Sequence, residues 1–409
     1  MKLCYVLCTG MILILGACES REKSADEKPN IAQEHIANIA SQFAPDSRVA
    51  LFDVQAISQD DGYILKGESN LKNAVEELKD KLREENIKFI DSIQILPSKE
   101  ALDGKTRGLI EISVANLREA PEHASQLVTQ ATLGTPVNIL KEKDNWFLIQ
   151  TPDGYLAWTD YGGVIPLSKE EFHSWHAAEK IIYTEPFGFA YAQPNGNSQV
   201  VSDLVAGNIL ELLGEKNGFF EVRYPDGRLG YVVQSEAKTY QDWVEKLDQK
   251  EEDFVAISKT MMGAPYLWGG TSTKGMDCSG FTKTIYFLNG IVLPRDASQQ
   301  VHTGDLVDTT KSFKNLRPGD LLFFGRPATD STKERVVHVG MWIGDNKFIH
   351  AMGDVHISNF DTTATDFDAY NYNRYLKTKR LIGKEGGEQI IRLAESDLFT
   401  QKKDSILIN

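Results

Sequence analysis

Three residues in the last third of the chain have types and spacing suited to amide chemistry. They are Cys278 in Asp277-Cys278-Ser279-Gly280-Phe281, and the pair His338 and His350. Cleaving an amide with a thiol needs a sulfur nucleophile, a base to take and return its proton, and a group orienting that base. His338 begins an apolar strand that runs into the turn Ile343-Gly344-Asp345-Asn346, and His350 ends the strand that returns from it. Each lies about six residues from the centre of the turn. In a tight antiparallel hairpin such positions face each other across the ladder. The spacing predicts neighbouring imidazoles, with His338 as base and His350 as orienter.

The elements that must position Cys278 can be read around it. Upstream lies the glycine-rich Tyr266-Leu267-Trp268-Gly269-Gly270, and downstream the apolar run Phe281 to Leu288 reads as a helix. A cysteine at a helix start meets unpaired N–H groups and partial positive charge, which favour a thiolate. The backbone N–H of Cys278 is also a natural donor to the oxyanion of a tetrahedral intermediate, and the Tyr266 phenol a second. Asp277 and Ser279 flank the thiol. Asp296, in Leu293-Pro294-Arg295-Asp296-Ala297-Ser298, is a second acidic contact, and carboxylates in the cleft would suit a substrate ammonium group. Against this, Asp277 reads equally as a helix cap and Asp296 as a turn residue. His302 and His356 lack such placement and read as surface residues. Cysteine with two histidines can hold a catalytic zinc, but nothing here resembles a standard zinc spacing. No metal and no cofactor are expected.

The N-terminus decides how Cys278 is weighed. Residues 1–18 read as a targeting segment, with Lys2 followed by a mostly apolar run from Leu3 to Leu15, too short for a mature membrane span. It ends in Leu15-Gly16-Ala17-Cys18, which resembles the bacterial lipobox. That resemblance implies cleavage before Cys18, diacylglycerol on its thiol, and an extracytoplasmic protein anchored to a bacterial membrane. The alternative is an ordinary secretory signal with an incidental cysteine. Residues 19–30 are polar and charged, as expected of a tether. The other cysteines are Cys4 and Cys8, which leave with the signal. Cys278 is then the one free thiol in a compartment that permits disulfides, which points to reactivity.

A formal charge of −14 and the absence of a Lys/Arg cluster exclude nucleic acid as a partner. With 409 residues the chain has room for two to four domains. Residues 31–111 read as a small α+β unit, with helical spacing over Ile31 to Phe43 and Asn70 to Glu85. Val49 to Val54, Tyr63 to Gly67, Lys88 to Leu96 and Gly108 to Val114 read as its strands. An internal repeat follows. Asn145 to Trp158 and Gly218 to Tyr231 each run strand, Pro-Asp-Gly turn, strand ending in Trp or Tyr. Short strands and tight turns over such units predict small barrels at 112–168 and 178–238, and the pattern resembles tandem bacterial SH3 domains. Between them Ser168 and Glu171 form a capping-box pattern for a linking helix. Tyr240 to Met262 is read as one amphipathic helix entering a final domain at 241–385, with an unassigned tail at 386–409. The fold class is α+β.

Over that final domain three ordered blocks resemble the NlpC/P60 family of bacterial cell-wall cysteine peptidases. They are Pro265 to Gly270 with Asp277 to Phe281, Leu316-Arg317-Pro318-Gly319-Asp320 running to Phe324, and His338 to Gly344 with Lys347 to Ala351. The resemblance implies a papain-like domain of helices packed on an antiparallel sheet, with Cys278, His338 and His350 catalytic and Tyr266 near the site. It also implies hydrolysis of the bond between D-glutamate and meso-diaminopimelate or lysine in peptidoglycan stem peptides. Some relatives with this domain order require a free N-terminal L-alanine, the first SH3 domain narrowing the cleft. The acidic residues fit such an amine, and Tyr155 and Trp158 are the candidates for the cleft wall, although packing in the barrel core explains both. Released muropeptides are the expected substrate and a monomer the expected state. The rival readings are a wall-binding lipoprotein with an inert peptidase fold, and a thiol acyltransferase acting on another amide.

Overall fold

The computed structural model describes residues 30–384 and 390–399. The signal segment, Cys18 and all of the tether but Asn30 lie outside the described residues. The first unit follows from its apolar spacing. Ala74, Leu78 and Leu82 recur along the helix Lys72–Glu84 and are fully buried against Ile39 and Ala32 of the helix Ile31–Phe43. Phe52–Gln59 and Gly62–Ser69 form an antiparallel hairpin, and Phe89–Ile95 returns parallel to Gly62–Ser69 after the helical crossover.

Gly108 to Val114 does not complete this unit. Arg107–Ile110 instead pairs with Pro136–Lys143 and Val164–Leu167, within the first barrel. The reason is burial on both faces. Ile110 enters the barrel core, while Leu109 joins a second cluster with Leu167, Trp175 and Ile209. The N-terminal unit therefore ends nearer Ile95 than residue 111.

Each barrel is a seven-stranded antiparallel sheet. The repeated turns close alike: Thr151 N–H donates to Tyr155 O at 3.0 Å, and Tyr224 N–H to Arg228 O at 2.8 Å. The barrels are hydrogen-bonded to each other, with Asn208 Nδ2 donating to Ser113 O at 2.9 Å and Ile209 N–H to Leu133 O at 2.9 Å. The linking helix Lys169–Ala177 begins at Ser168, whose hydroxyl accepts from Glu171 N–H while Glu171 reaches back to Ser168 N–H.

The expected single helix from Tyr240 to Met262 is two, Tyr240–Glu245 and Glu251–Thr260, with Gln249 between them at φ 54°. Their apolar residues serve different cores. Trp243 and Leu247 pack with Leu393 and Val292, whereas Phe254 and Ile257 pack beneath the catalytic helix. One straight helix cannot present both sets.

The last domain is a six-stranded antiparallel sheet in the order Asp305–Asp308, Tyr375–Arg380, Leu321–Arg326, Arg335–Gly344, Lys347–Met352, Asp354–Asn359. The helix Cys278–Leu288 lies on it, with Phe281 and Ile285 fully buried against Phe323, Val339, Met341 and Ile349. Burying each such side chain is worth about 1.5–3 kcal/mol, so the helix start that carries Cys278 is firmly seated. The described part of the tail returns to this domain, Ile391–Arg392 pairing with Ile291–Val292. Among the described residues no helix is long and apolar enough to cross a membrane.

Candidate active site

Asp277 fixes the start of the helix that carries Cys278. Its backbone is extended, and its Oδ1 accepts from Gly280 N–H at 2.7 Å. Oδ2 accepts from Gly269 N–H at 3.0 Å, tying the glycine-rich loop to the helix. Gly280 has no room for a side chain, because a Cβ there would stand 2.0 Å from the carbonyl oxygen of Gly270. Behind the cap sits Arg295, whose side chain is fully buried. Its guanidinium forks onto Asp277, Nη2 to Oδ2 at 2.6 Å and Nη1 to Oδ1 at 3.1 Å, and Nη1 also reaches Ser279 Oγ at 3.0 Å. Asp277 and Ser279 border the cleft, but their polar atoms serve this cap. Of the two carboxylates singled out by sequence, Asp296 is the one placed to meet a ligand.

The thiol does not rest as the thiolate expected of a helix start. Burial pushes Cys278 up to about 12, and the Asp277 carboxylate pushes in the same direction. The N–H of Val339, the Arg295 charge and the N–H of Ser279 pull the other way and are outweighed. Burial likewise holds His338 well below the ordinary imidazole range, and His350 falls to about 3. Burial thus favours the neutral form of the thiol and of both imidazoles.

The two histidines sit on one face of the sheet but not opposite each other. Met341 faces Ile349 and Trp342 faces Phe348, and then a bulge shifts the register so that Gly344 faces Lys347. Continuing the ladder away from the turn sets Gly340 against His350, with His338 diagonal to it. A Cβ at Gly340 would lie 2.8 Å from Phe348 Cδ2 and 3.1 Å from His350 Cβ, so a side chain there would crowd Phe348 and His350. The equal-distance argument therefore found the right partners through the wrong register.

The hydrogen bonds fix the tautomers. His338 Nε2 is 2.8 Å from His350 Nδ1, and His350 Nε2 is 3.0 Å from Ser358 Oγ. Ser358 donates to Asp368 Oδ2 at 2.8 Å. Burial tends to raise Asp368, but hydrogen bonds from Asn371 and Ser358 hold it below the usual carboxylate range. A hydroxyl has one proton, so Ser358 must accept from His350 Nε2–H. His350 Nδ1 is then the acceptor for His338 Nε2–H. That leaves the Nδ1 lone pair of His338 for the thiol proton.

Tyr266 and Cys278 border a cleft of about 870 Å³, which also includes Trp268, Asp296, Ser298 and His302. Tyr266 is anchored by its N–H to Gly353 O at 2.9 Å, and burial, with Cys278 and Asp277 nearby, raises its phenol so that it stays protonated. The cleft wall is supplied by other units. Tyr155 of the first barrel donates to Asp296 Oδ2 at 3.3 Å, and Glu119 and Gln126 lie beside it. Trp158 is not in the cleft. It packs with Leu96, Leu140, Trp146 and Leu148, with Lys141 Nζ 5.3 Å from its ring centre. Tyr155 lies in the turn before the strand Leu156–Asp160, whereas Trp158 lies within that strand on a buried face. His302 is exposed, as read from the sequence, at the border of the cleft, whereas His356 is half-buried and packs against His350 at 4.5 Å between ring centres. Among the described residues no group of three or more His, Cys, Asp or Glu is arranged to hold a metal ion.

Three further contacts hold the first barrel on the catalytic domain. Arg295 Nε donates to Thr129 Oγ1 at 2.9 Å, Thr271 N–H donates to Gln130 Oε1 at 3.0 Å, and Lys283 Nζ meets Asp153 at 2.8 Å. Arg295, Glu119, Ser358 and Asp368 went unrecognised in the sequence. Only Arg295 left a trace there, as a charge between Pro294 and Asp296 at the end of an apolar stretch.

Comparison with known proteins agrees with this geometry. The NlpC/P60 family model matches residues 263–376, and the bacterial SH3 domain model matches 113–164 and 188–237. The chain is 31% identical over 242 residues to a gamma-D-glutamyl-L-lysine dipeptidyl-peptidase of Bacillus cereus, covering 56% of this chain and 68% of that protein. It is 30% identical over 231 residues to the protein of the same name from Bacillus subtilis, covering 54% and 71%. The crystal structure of an NlpC/P60 family protein from Bacillus cereus superposes with a TM-score of 0.58 at 26% identity, over 68% of this chain and 99% of that one. With identity at this level across more than two thirds of such relatives, the chain belongs to the NlpC/P60 family of cysteine peptidases and carries two bacterial SH3 domains.

Proposed function

We propose that the protein hydrolyses the bond between γ-D-glutamate and the diamino acid, meso-diaminopimelate or lysine, in peptidoglycan stem peptides, and that it takes released muropeptides with a free N-terminal L-alanine. The observation that carries this reading is the single cleft in which Cys278 and Asp296 meet under Tyr155 of the first barrel. The names of the two Bacillus relatives support the bond class. A cleft of about 870 Å³ suits a short peptide.

In this reading Cys278 Sγ attacks the D-glutamyl side-chain carbonyl as its proton passes to His338 Nδ1. Transfer accompanies attack, because neither group is charged at rest. The backbone N–H of Cys278 and the Tyr266 phenol receive the oxyanion. His338 then returns the proton to the leaving amine as the C–N bond breaks, and water, deprotonated by the same imidazole, releases the acyl group from sulfur. His350 holds His338 in its tautomer. Asp296 takes the terminal ammonium.

The test uses L-Ala-γ-D-Glu-diaminopimelate and its N-acetyl form, with products measured by mass spectrometry. Cleavage of the free amine alone is expected. Equal cleavage of both removes the amine reading, and unchanged turnover in Cys278→Ala removes the enzyme assignment of this thiol. We further propose that Cys18 is lipidated and that the monomeric protein works outside the cytoplasm. Labelling with a clickable fatty acid, lost in Cys18→Ser, checks the anchor.

A further inference from the structure

Asp296 is the meeting point of three units of the chain. Besides Tyr155 from the first barrel, it is held by Arg48 from the N-terminal unit, 248 residues away in sequence, whose Nη1 donates to Asp296 Oδ2 at 2.7 Å and to Ser298 Oγ at 3.0 Å. Arg48 is itself preorganised. Its Nε and Nη2 fork onto Asp46 at 2.8 and 2.7 Å, and its carbonyl accepts from Leu156 N–H at 2.7 Å, beside Tyr155. Asp46 is braced from the catalytic domain by Gln299 Nε2 at 2.8 Å. Burial tends to raise Asp46, but the Arg48 and Gln299 hydrogen bonds hold it below the usual carboxylate range. Ser47 and Arg48 border the cleft.

This arrangement does not neutralise the site. Two carboxylates, Asp46 and Asp296, share the Arg48 guanidinium, while Arg295 forks onto Asp277; Glu119 and Glu334 add negative charge to the wall and Arg335 one positive charge, which leaves the balance negative. Arg48 and Tyr155 both bind Oδ2, whereas Arg295 Nη1 stands 3.8 Å from Oδ1, beyond hydrogen-bond length. Asp296 also caps the short helix Ala297–Gln300, its side chain taking the Gln299 backbone N–H. A carboxylate offers about four lone-pair sites, so after Arg48, Tyr155 and this cap capacity for one ammonium hydrogen bond remains. The guanidinium, held by Asp46 and Asp296, is part of the cleft wall beside this carboxylate.

We propose that Arg48 is a positioning residue for the amine subsite: it fixes the Asp296 carboxylate and, with Ser47, walls the cleft behind it, so that the N-terminal unit limits the enzyme to stem peptides that begin at a free amine. This rests on the free-amine reading above and gives residues 31–95 a part in selecting the substrate.

The experiment compares kcat and KM of the full-length protein and Arg48→Met on the free and N-acetylated tripeptides. Arg48→Met is expected to raise KM for the free peptide about tenfold with little change in kcat, and to narrow the preference over the acetylated form by a similar factor. Arg48→Lys keeps the charge but not the fork and should recover part of the preference. Thermal midpoints check folding. If Arg48→Met does not fold, Ser298→Ala, which removes one contact of Nη1, reports the same change at smaller size. A variant that folds and retains the full preference overturns the proposal and leaves the free-amine reading intact. Wild-type protein that cleaves both peptides equally overturns the free-amine reading itself.

Discussion

His338 Nε2 lies 2.8 Å from Nδ1 of His350, although the two residues are diagonal in the ladder and not paired across it. The Ser358 hydroxyl and the Asp368 carboxylate hold the second ring from behind. Ser358→Ala leaves His350 Nε2–H without its acceptor and releases the tautomer. The expected result is a fall in kcat of about 10–100-fold with KM unchanged. Asp368→Asn should act in the same direction, and ¹⁵N shifts of the two imidazoles should show mixed tautomers in either variant.

The same burial should make the thiol slow to alkylate near neutral pH. With the thiol pushed up by burial, far fewer molecules should carry a thiolate at pH 7.5 than the roughly one in ten of an ordinary cysteine. Iodoacetamide labelling of Cys278 should accelerate about tenfold per pH unit up to pH 10, with no plateau near 8.5. A plateau below pH 9 would contradict the neutral resting pair.

Acid should weaken the fold through the same histidines. Above about pH 6.5 an imidazole is neutral in both folded and unfolded chains, and the linkage vanishes. Below it the unfolded chain takes up a proton that His350, lowered to about 3, refuses. Stability then falls with pH by about 1.4 kcal/mol per unit for this residue. His338, lowered for the same reason, adds to the slope. Urea midpoints between pH 7 and 4 should decline more steeply in wild type than in His350→Asn.

Lys283 is buried and has Asp153 of the first barrel as its counter-charge. Asp153→Ala strands the ammonium and should cost about 3–5 kcal/mol. Adding Lys283→Met should restore most of it, a coupling that a double-mutant cycle measures directly.

The cysteine at a helix start, the contact between the two histidines, the barrel repeat and the capping box are legible because each is written in a short stretch of chain. What was not legible is long-range or depends on one extra residue. The alternation from His338 to Trp342 does not announce the bulge that moves His350 off the opposite position. Tyr155 and Trp158 look alike as aromatic residues near one turn, and only the fold sends one to the cleft and the other to a core. No local pattern connects Arg48 with Asp296, or Thr129 with Arg295. The helix from Tyr240 was read as continuous because its amphipathic spacing does not reveal that its halves answer to different cores.

The two Pro-Asp-Gly turns have parted company. Asp226 pairs with Arg228 within its own exposed turn, whereas Asp153 reaches a lysine on the nucleophile helix. One copy of a duplicated module has become a fixed part of another domain's machinery. Cutting the chain before Tyr240, where a domain boundary suggests itself, would remove the partners of Lys283, of Arg295 Nε and of the Thr271 backbone at one stroke. A catalytic fragment prepared that way would start from three severed contacts around its own nucleophile, and its specificity would not be that of the parent.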